Sequence, residues 1–145
     1  MNATPPGRVN LLYRVHWHVV VTHFPLSFFL ASGLFMFLHL FGESACFELA
    51  STVCLAIGAA ATPFAIATGW ATWKARYRGA RTPLFDKKIV VSFAMLALSV
   101  ALLAWRLFLH PEFHFEWHAV YALALFALLG GAAAEGMLGG RLNHR

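Results

Sequence analysis

Four stretches of this chain, residues 17–41, 45–73, 88–109 and 117–138, are long and strongly apolar. A hydrocarbon core about 30 Å thick takes about 20 helical residues to cross, and each stretch meets that length. The links between them are short, which sets neighbouring helices antiparallel. The expectation is an all-α membrane protein, an antiparallel four-helix transmembrane bundle with residues 1–145 as its single domain. Composition points the same way. With 60% apolar residues, 12% charged and 145 residues in all, a soluble fold would lack the interior to hide its apolar surface.

The opening MNATPPGRVNLLYR is polar and carries two prolines and two arginines. It lacks the pattern of a secretory signal, and no small-residue cleavage site closely follows the first apolar run; we expect it to be retained. Cys46 and Cys54 lie eight residues apart on one helix, a separation of about 12 Å that no disulfide spans. They read as packing residues. No CxxCH motif is present, which argues against covalent haem attachment.

Basic residues set the expected orientation. Arg8 and Arg14 precede the first span. Lys74, Arg76, Arg78, Arg81, Lys87 and Lys88 lie between the second and third, and Arg141 and Arg145 follow the fourth. Ten of the eleven lysines and arginines thus fall on one side, with Arg106 alone on the other. Both termini are expected in the cytoplasm, the chain crossing the membrane several times. Glu43, Glu48, Glu112 and Glu116 would then lie outside.

The second span carries Ser51, Cys54, Gly58, Thr62, Ala65, Gly69 and Thr72 at alternating steps of three and four. These form one small-residue stripe, which lets a neighbouring helix approach closely or makes room for a flat cofactor. Pro63 lies within this span and withholds a hydrogen bond from the Ala59 carbonyl. GGAAAEGMLGG near the chain's end is a second close-packing segment.

Ionisable groups inside a bilayer are costly and each calls for an account. His23 lies about two turns into the first span, in THFPLS. Glu135 lies at similar depth in the fourth, within reach of His23, Arg14 or Lys88. Structural pairing, cofactor ligation and proton carriage are all compatible with these residues. Near the outer face stands HPEFHFEWH, with His110, His114 and His118 four apart. Pro111 is placed to start a helix, leaving His110 in the loop. His118 shares a helical face with Ala122, Leu125, Leu129 and Gly136, and lies at the depth of His39 on the first span. Two histidines on different helices at one depth suit a b-type haem. His39 and His118, or His114, would be axial ligands, and Arg106 could pair with a propionate. Solvated interfacial histidines, or a first-row metal on the i, i+4 pair, account for the same residues.

At THFPLS, TGWATWKARYRG, FDKKIVVS and GGRLNHR the chain resembles the bacterial four-helix membrane family known as domain of unknown function 2231. The matching motifs are His23-Phe24-Pro25, Thr68-Gly69 with Trp73, the segment from Asp86 to Lys88, and Gly139-Gly140-Arg141-Leu142. In that family an aspartate usually stands where this chain has Thr72. The third helix often opens with a histidine, where this chain has Lys87 and Lys88. The resemblance implies a four-helix architecture and, from similar members, an accessory place in a membrane redox system.

Two functions are therefore expected in competition. One is an electron-transfer subunit holding haem b near the outer face, linked to the quinone pool and to other membrane or extracytoplasmic redox subunits. The other is a non-catalytic structural or assembly subunit without a cofactor. Ion movement through His23 and Glu135 ranks below both, since no inverted repeat of broken helices is evident. A stand-alone enzyme is disfavoured, because GxSxG, P-loop, HExxH and Rossmann patterns are all missing. The basic loop between the second and third spans suits topology and anionic lipid rather than nucleic acid.

Overall fold

The computed structural model describes residues 17–42, 44–80, 82–109 and 115–143. These form four helices: α1 (Trp17–Gly42), α2 (Ala45–Tyr77), α3 (Pro83–Ala104) and α4 (Phe115–Asn143). Among the described residues there is no strand. A π-helical turn, Trp105–Leu109, prolongs α3. Four segments are long and apolar enough to cross a bilayer: His18–Gly42, Ala45–Ala75, Pro83–Phe108 and Ala119–Arg141.

The third span starts earlier than the sequence pattern placed it. Pro83 occupies the first helical positions behind an extended Thr82, where a missing N–H costs nothing. Asp86, Lys87 and Lys88 are thereby taken into the helix. The second helix runs on to Tyr77 and stops at Arg78 (φ 52°) and Gly79 (φ 71°), both left-handed. Both turn their N–H groups toward the Trp73 carbonyl, the usual way of closing orphan carbonyls at a helix end. The Trp73 indole donates to the Ala80 carbonyl at 2.9 Å and pins the turn.

Each helix packs on its neighbour in sequence, and α4 closes back on α1, giving an up-and-down ring. Cross-contacts fix the register of α1 against α2. His18 meets Thr68, Ser32 meets Ser51, Phe35 stacks on Phe47, and His39 meets Ser44. Rising numbers on one helix pair with falling numbers on the other, so the two are antiparallel. We call the end where α1 begins proximal and the opposite end distal.

Lipid offers no hydrophobic drive between helices, so close packing and hydrogen bonds hold them together. The α2 stripe serves this purpose and faces α1. A Cβ on Gly58 would lie 2.7 Å from the Phe29 ring, and one on Gly69 would lie 2.9 Å from the His18 ring. Each notch is filled by a side chain of the neighbour. Gly33 likewise receives Leu129, and Gly131 receives Met95. At mid-height Ser32 and Ser51 are buried and bond reciprocally: each hydroxyl donates to the other residue's carbonyl at 2.8 Å. Phe29, Met36, Leu55, Leu102, Leu125 and Leu128 complete the core around them.

Candidate functional site

Among the described residues the charged groups of the bundle gather at its two ends. At the proximal end all four helices contribute. Glu135 of α4 sits 3.4 Å from Lys88 Nζ of α3, and the two side chains are 12% and 20% exposed. Ser92, one turn beyond Lys88, donates to the other carboxylate oxygen at 2.7 Å. The Lys88 ammonium lies against Gly139, where an added Cβ would stand 3.4 Å away. The glycine leaves α3 and α4 close enough to pair.

On the other side of this end, His18 of α1 reaches Thr68 of α2, with Nδ1 3.3 Å from Oγ1. The single Thr68 hydroxyl proton has the Phe64 and Ala65 carbonyls within reach, and with it on either of them the oxygen accepts from Nδ1–H. The imidazole rests on the backbone of Gly69, close enough to Lys88 to feel its charge. The proximal site thus comprises His18, Thr68, Lys88, Ser92 and Glu135. They form two sets, His18 with Thr68, and Lys88 and Ser92 with Glu135, and each set bridges two helices.

The expected polar set is only partly assembled. Lys88 and Glu135 meet. Thr72 turns back and donates to the Thr68 carbonyl of its own helix at 2.8 Å. His23 is exposed on the outer surface of α1, its Nδ1 2.5 Å from the Val19 carbonyl. Position 23 lies five residues beyond position 18. At about 100° per residue that is about 140° around the helix, so one position faces inward and the other outward. The sequence pattern singles out neither His18 nor Ser92, and marks Thr68 only as a motif residue. The small-residue stripe offered a signal, since Gly69 invites a ring from the facing helix.

At the distal end Arg106, in the π-helical turn, forms an ion pair with Glu48 of α2. Both side chains are 17% exposed. Tyr121 of α4, 3% exposed, lies close enough to feel both charges. His39 of α1 is half-buried, and its Nδ1 lies 3.0 Å from the Ser44 carbonyl. A carbonyl accepts only, so Nδ1 carries the proton and Nε2 is the basic nitrogen. His39 therefore has the tautomer of a metal-ligating histidine. His110 and His114 lie outside the described residues. Position 118 falls within α4, one turn before the buried Tyr121 and Ala122; its side chain lies outside the description. The guanidinium that sequence reading offered to a propionate is engaged by Glu48. Among the described residues, no three of the types His, Cys, Asp and Glu gather as a metal set would.

Four apolar helices in an antiparallel ring, joined across helix boundaries by the ion pairs Lys88–Glu135 and Arg106–Glu48, define a multi-pass integral membrane bundle. Within that class the chain belongs to the family described as predicted membrane protein (DUF2231), which matches residues 15–145. No curated protein and no solved structure matches it. The motif residues Thr68, Gly69, Lys88 and Gly139 all contribute to the proximal site, and Trp73 closes the turn beside it. His23 stands apart from them.

Proposed function

We propose that the chain is a non-catalytic accessory subunit of a larger membrane complex, seated in the bacterial inner membrane with both termini in the cytoplasm. One observation carries this reading: the groups fit for chemistry are spent on holding helices together. Lys88 and Ser92 are committed to Glu135, and Arg106 to Glu48. The notches at Gly58 and Gly69, which the sequence offers to a neighbouring helix or a flat cofactor, hold Phe29 and His18. The orientation rests on the ten basic residues on one side.

A second reading, an electron-transfer subunit exchanging electrons with quinone and redox partners, is favoured by the tautomer of His39. His39 and His118, or His114, would then hold haem b at the distal end, and the haem would supply one-electron transfer. Arg106, whose Nη2 pairs with Glu48, would offer a propionate other N–H groups of its guanidinium.

One experiment separates the two. The protein is expressed with supplemented haem, purified in detergent and scanned oxidised and reduced. The accessory reading expects colourless protein. A reduced-minus-oxidised band near about 560 nm, lost in His39→Ala and His118→Ala, would replace it with the second reading.

A further inference from the structure

Polar side chains in a membrane helix normally face the bundle interior. In α1 two of them do the opposite. His23 and Ser27, one turn apart, are both exposed on the side of α1 away from the core residues Phe29, Ser32 and Met36. The span begins at His18. His23 is therefore about 7 Å into the hydrocarbon and Ser27 about 13 Å, near the midplane. Their face continues through half-buried Ala31 to exposed Leu34.

The chemistry of the pair is self-complementary. His23 Nδ1 faces the Val19 carbonyl, so that nitrogen carries the proton and Nε2 is an acceptor. Among the described residues no hydroxyl donates to the His23 ring. Ser27 supplies a donor one turn along the same face. Ser27 and Ala31 also form a small-xxx-small pair, which lets two backbones approach closely. Two copies with the same membrane orientation related by a two-fold axis along the membrane normal bring their α1 helices together in parallel. In such a pair a residue meets its counterpart and the one four further on. Ser27 of each copy then donates to His23 of the other, and the symmetry makes both bonds at once.

We propose that the His23–Ser27 face of α1 is the interface of a two-fold dimer of this chain. The test uses full-length protein in native membranes with Cys46→Ser and Cys54→Ser as background. Ser27→Cys is placed on the face, and Val90→Cys serves as control. Val90 is 67% exposed on α3, the helix diagonal to α1 in the ring. Copper-phenanthroline oxidation is expected to convert Ser27→Cys to a species of about twice 16.0 kDa while Val90→Cys remains single. In dilute liposomes, energy transfer between singly labelled copies is expected to show about fivefold weaker association for His23→Leu, as loss of interhelical hydrogen bonds implies. His23 is exposed, so this variant retains the bundle. Equal cross-linking at the two positions, an adduct of another mass, or unchanged energy transfer in His23→Leu would each overturn the dimer.

Discussion

Lys88 of α3 and Arg106 of the π-helical turn that prolongs it stand eighteen residues apart (106 − 88), and each is held by an acid on a different neighbour. Eighteen helical residues rise about 27 Å along the axis. That span is close to the hydrocarbon thickness. Glu135 of α4 takes the proximal cation and Glu48 of α2 the distal one. α3 is thus fastened to one neighbour at each border of the membrane.

Glu135→Gln and Glu48→Gln each leave a partly buried cation without its counter-charge. Each is expected to destabilise the bundle by about 2–3 kcal/mol, the scale of an unpaired charge in a membrane helix. Detergent unfolding followed by circular dichroism measures this. The exchanged pair Lys88→Glu with Glu135→Lys is expected to recover more than half of the loss, and failure to recover would mean that the pairing itself contributes little.

Ser32 and Ser51 are coupled at mid-height by reciprocal bonds. A double-mutant cycle with Ser32→Ala and Ser51→Ala is expected to give a coupling energy of about 1 kcal/mol, within the range for interhelical hydrogen bonds in membranes. Additive single effects would contradict the arrangement described.

Gly58→Ala places a methyl 2.7 Å from the Phe29 ring and is expected to cost about 1–3 kcal/mol, as overpacking does. Gly130→Ala meets nothing within 4 Å. It is expected to be neutral or to stabilise by up to about 1 kcal/mol through helix propensity. Measured in one detergent, the two alanines should move stability in opposite directions or by clearly different amounts.

Cys46 is exposed at the distal end, whereas Cys54 is half-buried within the span. With cytoplasmic termini, a membrane-impermeant maleimide is expected to label intact spheroplasts at Cys46, and Cys46→Ser is expected to abolish the label. Labelling only after lysis would invert the topology.

The spans were legible because length and apolar content alone decide them, and the α2 stripe because its spacing matches a helix. Azimuth was harder. His23 drew attention through its motif, yet the ring that enters the bundle is His18, because only the position of α2 tells which side of α1 is inside. Glu135 was placed within reach of Lys88 from depth alone. Arg106 was offered to a cofactor because Glu48, near the start of α2, was counted as outer-surface charge. Counting turns from the distal loop puts both at one level. Sequence could not give the π-helical turn from Trp105 that carries Arg106, since it depends on how the end of α3 packs.

The two ion pairs also bear on how the protein is made. α1 carries no lysine, arginine, aspartate or glutamate within its span and can enter lipid as soon as it is synthesised. Glu48 of α2 gains its partner only when the end of α3 has been translated, and Lys88 of α3 only when most of α4 has followed. Each of the last three helices therefore depends on a later one, or has just completed an earlier one. Their release into the bilayer is expected to be a joint event, complete only once Glu135 has emerged from the ribosome.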